Sequence, residues 1–242
     1  DARVPADYTG AGKAQPAFYR PSTGEWFHTT GPTSVINWGW PGSDDMPVPA
    51  DYDGAARAQL AVFRPATATW WVLHGDYSYS AIPFGSPGDV PVPGYYDGTP
   101  KAQLAVYRPS TGTWSIRHDD GSVSTVAWGW PGSDDVPVPA DYDGTGRTQV
   151  AIYRPSTGSW FILHADYSYT QVDLGSPGDV PVPGYYDGPT RADLAVFRPG
   201  SAAWLIRHAD GSVTSTPWGA PGDVPVVLPW AIGHRSFPTL YP

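Results

Sequence analysis

The chain has 242 residues, of which 40% are hydrophobic, and its 23 acidic and 14 basic residues give a formal net charge of −9. Such an acidic balance disfavours nucleic acid and anionic membrane surfaces as partners, because phosphate groups are bound by basic side chains. The chain has no cysteine, which excludes disulfides and thiol chemistry, and it lacks the run of about 18 apolar residues that a membrane span requires. We therefore expect neither nucleic-acid binding nor membrane insertion.

The sequence repeats itself five times. An Arg-Pro step marks each copy, and successive copies lie 44, 44, 46 and 44 residues apart, at Arg20, Arg64, Arg108, Arg154 and Arg198. A period of this length, with several short strands in each copy, is typical of a β-propeller. The predicted units are approximately 1–44, 45–88, 89–134, 135–178 and 179–222, followed by a closing segment 223–242. Together they predict one propeller domain over residues 1–242.

Unit 3 shows how each unit is built. Alternating apolar residues and turn residues predict an inner strand over 90–96, a second strand over 103–108, a third over 114–118 and a fourth over 122–128. Short turns rich in Asp, Gly and Ser join the last three strands, as expected for antiparallel hairpins. The pattern predicts an all-β fold, a five-bladed β-propeller with four antiparallel strands in each blade.

The two ends of the chain suggest how the ring closes. A sixth copy of the inner-strand motif occurs at 223–229, but no DYDG turn follows it, whereas the first copy at 1–8 has that turn. We therefore expect the C-terminal segment to pair beside the N-terminal blade, which would cover strand edges that otherwise promote aggregation. The chain begins at Asp1, in register with the repeat and without an initiator Met, which fits either a mature secreted protein or a trimmed chain, and we favour secretion.

A comparison of the units separates candidate core positions from candidate sites. Two positions are large and apolar in every unit, and we expect both to lie in the core between blades. They are Trp26, Trp70, Trp114, Trp160 and Trp204 in the third strand, and Trp38, Phe84, Trp128, Leu174 and Trp218 after the fourth. The arginine before proline is also invariant, and two interpretations are open: a structural ion pair or carbonyl clamp, or a contact to a ligand.

Three other positions alternate between odd and even units. The loop after the fourth strand carries in turn Trp40, Ser86, Trp130, Ser176 and Ala220. The residue that follows the next inner strand is in turn Asp51, Tyr95, Asp141 and Tyr185. In the hairpin between the third and fourth strands, Tyr77 and Tyr167 replace a turn glycine. A position that accepts Trp, Ser or Ala is not core, so we expect Trp40 and Trp130 to be partly exposed.

This alternation has two possible explanations. In the first, a large Trp beside a small Asp is exchanged for a small Ser beside a large Tyr, which conserves volume. Alternatively, the two classes are shallow pockets in which an aromatic ring stacks on a sugar while Asp, Arg and hydroxyl groups bind its hydroxyls. The candidate carbohydrate-binding residues are Trp40, Asp51, Trp130, Asp141, Tyr77, Tyr95, Tyr167, Tyr185, Arg64, Arg108 and Arg154.

The run DYDGTGRTQVAIYRPSTGSW at 141–160 resembles the FG-GAP or VCBS-type repeat of secreted bacterial proteins. The resemblance extends over all five units. That family forms propellers, including the Psathyrella velutina lectin, and the five-unit count is also similar to the tachylectin family, which binds N-acetylated sugars at repeated sites. The resemblance implies a lectin or adhesion role, with glycans on a cell surface as partners.

The calcium-binding form of this repeat has carboxylates at the first, third, fifth and ninth positions of its loop. In unit 4, Asp141 and Asp143 keep the first two, but Thr145 and Gln149 replace the others. Unit 2 likewise keeps only Asp51 and Asp53. Calcium prefers six to eight oxygen ligands, so these four aspartates are weak metal candidates, and we expect no cofactor.

An enzyme would require a group of residues that interrupts the repeat, because an active site is normally singular. The sequence shows no such group, no phosphate-binding glycine loop and no serine-elbow motif, so we expect the chain not to be an enzyme. The favoured function is a secreted, multivalent and calcium-independent lectin with shallow sites between blades. The alternative is a non-catalytic cell-wall or protein-interaction module. The sequence leaves the sugar, the number of working sites and the oligomeric state open.

Overall fold

The computed structural model describes residues 1–29 and 35–225. These residues form twenty β-strands in five four-stranded antiparallel sheets, and none of them is helical. The sheets are the blades of a propeller and are arranged in a ring, which confirms the fold predicted from the repeat. Within the described ranges, no helix is long and apolar enough to cross a membrane.

Each blade is one continuous stretch of chain that runs from the inner strand outward. Blade 1 contains β1 (Ala2–Arg3), β2 (Ala17–Arg20), β3 (Glu25–His28) and β4 (Val35–Asn37). Blade 2 contains β5 (Met46–Pro47), β6 (Leu60–Arg64), β7 (Thr69–Leu73) and β8 (Tyr79–Pro83). Blade 3 contains β9 (Val90–Pro91), β10 (Leu104–Arg108), β11 (Thr113–Arg117) and β12 (Val123–Ala127). Blade 4 contains β13 (Val136–Pro137), β14 (Ala151–Arg154), β15 (Ser159–Leu163) and β16 (Tyr169–Asp173). Blade 5 contains β17 (Val180–Pro181), β18 (Leu194–Arg198), β19 (Ala203–Arg207) and β20 (Val213–Pro217).

The antiparallel order of strands decides which end of the ring each loop occupies. In blade 2, the loop 51–58 and the hairpin 74–78 lie at one end, which we call the upper face. The turn 65–68 and the loop 38–45, which connects blade 1 to blade 2, lie at the opposite end, the lower face. The same assignment holds for the equivalent loops of the other blades.

The inner strands are shorter than the sequence predicts. In blade 3, regular pairing covers only Val90 and Pro91, although a strand was expected over 90–96. Pairing continues at single points, through a bridge between Gly94 and Gln103. Val92 and Gly94 still donate to the carbonyls of Ala105 and Gln103, and the prolines occupy the alternate positions, where this ladder needs no N–H. The other three strands of this blade match their predicted ranges to within one or two residues.

The core lies between consecutive blades. The third-strand tryptophans are fully buried at Trp26, Trp70, Trp114 and Trp160, and half-buried at Trp204. Each donates its indole N–H to the carbonyl of the second predicted core position, as Trp70 does to Phe84 at 3.1 Å. The second position is buried or half-buried in four units, but Trp218 in blade 5 is exposed, so the core prediction is wrong there. Its ring contacts only its own blade among the described residues, at Trp204, whereas the equivalent Trp38 also donates to the next blade, at the carbonyl of Trp71.

One contact joins the two ends of the described chain. Arg3 on β1 donates from Nη1 to the carbonyl of Val224 at 3.0 Å. The remainder of the predicted closing segment, 226–242, lies outside the described residues, so its pairing beside blade 1 stays a prediction.

Candidate functional site

Each Arg-Pro arginine is held by an aspartate from the start of its own blade. In blade 2, Arg64 donates from Nε and Nη2 to the two carboxylate oxygens of Asp45, at 2.7 and 2.8 Å. This hydrogen bonding raises the pKa of the Arg64 guanidinium. The equivalent pairs are Arg20–Asp1, Arg108–Asp89, Arg154–Asp135 and Arg198–Asp179. The invariant arginines are therefore structural ion pairs, and two of them, Arg64 and Arg154, have a further contact to an exposed tryptophan.

That further contact is an aromatic stack between blades 1 and 2. The indole of Trp40 covers Arg64, whose guanidinium carbon lies 4.5 Å from the ring centre. Trp40 contacts Trp71 at 5.4 Å between ring centres, and Trp71 contacts Tyr79 at 5.9 Å. Tyr79 also meets Trp38, at 5.8 Å. The four rings form a continuous row along the junction, and together with Arg64 we call them the first aromatic groove.

The same arrangement recurs between blades 3 and 4. Arg154 lies 4.5 Å from the ring centre of Trp130, and Trp130 meets Phe161 edge-on at 6.2 Å. Tyr169 packs against Trp128 at 5.7 Å. We call these five residues the second aromatic groove. The expectation of exposed tryptophans is confirmed, since Trp40 is 55% and Trp130 60% exposed.

The junctions that carry serine keep the ion pair without the rings. Arg108 and Arg198 have side chains 41% and 38% exposed, whereas those of Arg64 and Arg154 are 17% exposed. The tryptophan therefore covers an ion pair that forms equally well without it. Arg108, a predicted binding residue, belongs to a serine junction and has no aromatic platform beside it among the described residues.

The structure does not bring Trp40 together with Asp51. The backbone N–H of Trp40 donates to Asp45 at the lower end of the inner strand, while Asp51 begins the loop at its upper end. The intervening residues of an extended strand separate the two positions by about 15–20 Å. The pairs Trp40–Asp51 and Trp130–Asp141 therefore cannot form the single pockets that their proximity in sequence suggested.

Asp51 and Asp141 instead line a cavity of about 520 Å³ at the upper face, where all five blades meet. The equivalent residues of the other blades line it too: Asp7, Tyr95 and Tyr185. Burial raises the pKa of Asp51 and of Asp141. Burial also acts to raise that of Asp7, but hydrogen bonds from Gly12, Thr9 and Gly10 outweigh it and leave the pKa lowered. We call this space the axial cavity.

The four aspartates that are weak metal candidates accept hydrogen bonds from groups in their own loops. Asp51 accepts the N–H of Gly54 at 2.8 Å, and Asp53 accepts the amide of Gln59 at 2.9 Å. In blade 4, Asp141 and Asp143 accept equivalent bonds from residues 144–146. Within the described ranges, no group of three or more His, Asp or Glu side chains is placed to hold a metal ion.

Tyr77 and Tyr167 occupy a left-handed backbone position with φ of 65° at both. The equivalent residues of blades 3 and 5 are Gly121 and Gly211, which confirms that tyrosine replaces a turn glycine. Both rings are exposed. Tyr77 lines a cleft of about 390 Å³ between blades 1 and 2 at the upper face. Tyr95 lies in the axial cavity, so the structure does not place the two tyrosines in one pocket.

Sequence reasoning missed several members of the aromatic grooves. Tyr79 and Tyr169 complete the two rows of rings, and the equivalent residues in blades 3 and 5 are Val123 and Val213. This is the same odd–even alternation that identified Trp40, and it could have identified them.

A second missed feature is a hydrogen-bonded relay in blade 3. His118 contacts Asp97 through Nδ1 at 2.5 Å and Ser124 through Nε2 at 2.8 Å. Blade 5 repeats it with Asp187, His208 and Thr214. The aspartate and histidine lie 21 residues apart in both blades, which is the only sequence signal that links them.

Neither a protein-family model nor a curated protein matches this sequence. In fold, the chain is similar to a virginiamycin B lyase from Staphylococcus aureus, with a TM-score of 0.61 at 9% identity, covering 90% of this chain and 71% of that one. It is similar to a streptogramin B lyase, with a TM-score of 0.60 at 8% identity, covering 85% and 66%. It is also similar to an Agrocybe aegerita lectin that recognises non-reducing terminal N-acetylglucosamine, with a TM-score of 0.57 at 16% identity, covering 89% and 65%. Identities this low show a shared fold and nothing more.

These similarities correct the expectation that the chain is not an enzyme. The first two structures are lyases, so a propeller of this fold supports enzymatic activity as well as sugar binding. The expectation rested on the uniformity of the repeat. A few residues that differ between otherwise equal blades are enough to form an active site, and the Asp–His contact of blades 3 and 5 shows that the blades do differ.

Proposed function

We propose that this protein binds glycans outside the cell, through its two aromatic grooves. The observation that carries the proposal is a half-exposed tryptophan stacked on an ion-paired arginine, formed twice in one chain. An indole face offers the flat apolar surface on which the C–H face of a sugar stacks. In the ion pair with Asp45, Arg64 donates from Nε and Nη2, so the N–H groups of Nη1 are left to donate to a ligand hydroxyl.

The exposure of these rings supports a role in binding. Trp40 and Tyr79 in the first groove, and Trp130 and Tyr169 in the second, each have more than half of their surface open to solvent. Contiguous exposed aromatic residues on an acidic protein are typical of interaction sites. The serine junctions show that the blade forms without the tryptophan, so the fold does not account for it.

The lectin among the structural neighbours also supports a carbohydrate ligand, and it suggests terminal N-acetylated sugars as the first to test. Membership of the FG-GAP or VCBS-type repeat family, similarity to tachylectins and secretion stay predictions from the sequence. Two grooves on one chain would make binding bivalent, and avidity on a glycan-coated surface would strengthen sites that are weak individually.

The test is a glycan array with and without EDTA, followed by titration calorimetry on each hit. We expect a hit that EDTA does not change and a stoichiometry of two sites per chain. Trp130→Ala should weaken glycan binding at the second aromatic groove at least tenfold, or by about 1.4 kcal/mol. Calorimetry should then detect one of the two sites. The free energy of unfolding should fall by only about 1 kcal/mol or less, the value of an exposed cation–π contact.

Ser176→Ala is the matched control, because it alters the equivalent loop of a serine junction and should leave both sites intact. The double variant Trp40→Ala/Trp130→Ala should bind no glycan. A blank array overturns the proposal, and so does a double variant that binds as well as the unmodified chain.

A further inference from the structure

One buried residue departs from the repeat in blade 5. The other four blades carry glutamine at this position: Gln15, Gln59, Gln103 and Gln149. In blade 2, Gln59 accepts the N–H of Tyr52 at 2.6 Å and donates to the carbonyl of Arg57 at 3.0 Å. Asp193 also accepts a backbone N–H of its loop, that of Asp187 at 2.9 Å, as Gln103 accepts that of Asp97. A carboxylate has no N–H, so it cannot supply the second bond.

In blade 5, one buried polar atom in each of two charged side chains has no hydrogen-bond partner among the described residues. Asp193 is only 1% exposed, and its Oδ1 has no hydrogen-bond partner among the described residues. The Nη2 of Arg191 lies 3.7 Å from that oxygen, beyond hydrogen-bond length, and the buried Nε of Arg191 also has no partner within the described ranges. A buried polar atom left unsatisfied costs about 1–3 kcal/mol, and more when it is charged. Four blades avoid that cost with glutamine, which points to a use for the aspartate.

Both groups line a cleft of about 270 Å³ between blades 4 and 5 at the upper face. Arg207 lies on the same side of the cleft, next to Leu194 on the neighbouring strand. Asp143 and the hydrogen-bonded pair His164–Thr170 lie on the blade 4 side. The volume is close to the lower limit of small-molecule sites, about 300 Å³, so a ligand of a few heavy atoms fits.

We infer that this cleft binds a small zwitterion, an α-amino acid with an aliphatic side chain. The unsatisfied acceptor belongs to a carboxylate and suits an ammonium group, and the unsatisfied donor belongs to a guanidinium and suits a carboxylate. Asp143 and Arg207 make the lining neutral overall, with two charges of each sign.

The apolar part of the cleft provides the place for the side chain. Ile162, Val172 and Leu194 line it, and all three are aliphatic. The ring of Tyr142 also lines it, but it is buried and its hydroxyl donates to the carbonyl of Val138 at 2.6 Å. The cleft thus lacks the half-exposed indole of the aromatic grooves, which favours an amino acid over a sugar. This inference does not depend on the proposed glycan binding.

The experiment is titration calorimetry of the full chain with L-leucine. We expect one site per chain. L-Leucinamide lacks the carboxylate and 4-methylpentanoate lacks the amine, so each should bind at least tenfold more weakly than leucine. N-Acetylglucosamine should not compete with leucine.

Asp193→Gln is the decisive variant, because it introduces the residue that the other four blades carry at this position. It should fold, unfold at a higher temperature than the unmodified chain, and bind leucine at least tenfold more weakly. Asp193→Asn should weaken leucine binding similarly and serves if the longer side chain does not fit. Gln59→Asn, the matched change in blade 2, should leave leucine affinity unchanged.

Three results overturn the inference: no leucine binding up to about 10 mM, where even a weak millimolar site would be seen; equal affinity in Asp193→Gln; or analogues that bind as tightly as leucine. Binding of a sugar that Asp193→Gln abolishes overturns the assignment to a zwitterion. Glycan binding at the aromatic grooves should be the same in Asp193→Gln and the unmodified chain, so failure of either proposal is seen separately.

Discussion

Blades 2 and 4 differ from blades 3 and 5 at several positions, although the four blades share one framework. All four have a buried or half-buried third-strand tryptophan and the same Arg–Asp pair. At the lower junction, Trp40 and Trp130 stand where blades 3 and 5 have Ser86 and Ser176. In the axial cavity, blades 2 and 4 have Asp where blades 3 and 5 have Tyr. In the upper hairpin, they have Tyr where blades 3 and 5 have Gly. The shared residues are those that the fold needs, and the alternating residues lie on surfaces and in cavities.

The positions of these residues also decide between the two explanations of the alternation. Conservation of volume requires that Trp40 and Asp51 touch, as Ser86 and Tyr95 would in blade 3. The structure places each pair at opposite ends of an inner strand. Side chains separated by a strand cannot compensate for one another's volume. An exchange of volume between these two positions therefore does not explain the alternation.

The largest difference between the tryptophan and serine junctions should be the loss of stability when the aspartate that binds the arginine is removed. Asp45→Ala leaves Arg64 under Trp40 without its partner, and breaking such a shielded pair costs about 3–5 kcal/mol. Asp89→Ala leaves Arg108 free to reach solvent, since its side chain is 41% exposed, so we expect a smaller loss, of about 1–2 kcal/mol. Urea denaturation of both variants measures the difference.

The double variant Trp40→Ala/Asp45→Ala is the control for that interpretation. Without the indole, Arg64 should reach solvent as Arg108 does, and the loss attributable to Asp45 should fall to the value seen for Asp89→Ala. Equal losses in the two single variants would show that the tryptophan does not shield the ion pair.

The period of the repeat was sufficient to predict the ring of blades, because each copy carries its own strands, turns and core tryptophan. Trp70 and Trp114 are buried as their invariance indicated. The partner of each arginine was not predicted, although an aspartate precedes it by 19 residues in every unit. In a chain so rich in aspartate, that spacing becomes meaningful only when the inner and second strands are known to be neighbours.

The site was predicted less well than the fold, for a geometric reason. Trp40 and Asp51 are close in sequence, and the prediction joined them, but an extended strand carries the chain from one face to the other. Tyr79 lies 39 residues from Trp40 and completes the same groove through Trp71. Asp193 stands in the sequence where the other four units carry glutamine. Its burial, with one oxygen that has no hydrogen-bond partner among the described residues, depends on the folded structure, which a single sequence does not show.

The upper hairpins offer a smaller test of the same contrast. A left-handed conformation costs a non-glycine residue about 1–2 kcal/mol, partly offset by the greater backbone freedom of glycine when unfolded. Tyr77→Gly should therefore raise the free energy of unfolding by about 0.5–1 kcal/mol. The reciprocal change Gly121→Tyr should lower it by a similar amount, since nothing obstructs a side chain there. Thermal unfolding of both checks the signs, and a destabilised Tyr77→Gly would show that the ring makes contacts that stabilise the fold.

The axial carboxyl groups should give the smallest effect, visible as a change in pH dependence. Burial raises the pKa of Asp51, so the folded state binds more protons than the unfolded state as the pH rises above 3.8. Stability must then fall across that window, because unfolding releases the proton. The pKa of Asp7 is lowered, so its contribution is present above pH 3.8 and is lost as the pH falls below that value. Between about pH 3 and pH 7, Asp51→Asn should gain stability relative to the unmodified chain, and Asp7→Asn should lose it. Urea denaturation across this range measures how the free energy of unfolding of each variant, relative to the unmodified chain, changes with pH. Changes of the same sign would show that hydrogen bonds from the loop N–H groups, rather than burial, control the pKa of both aspartates.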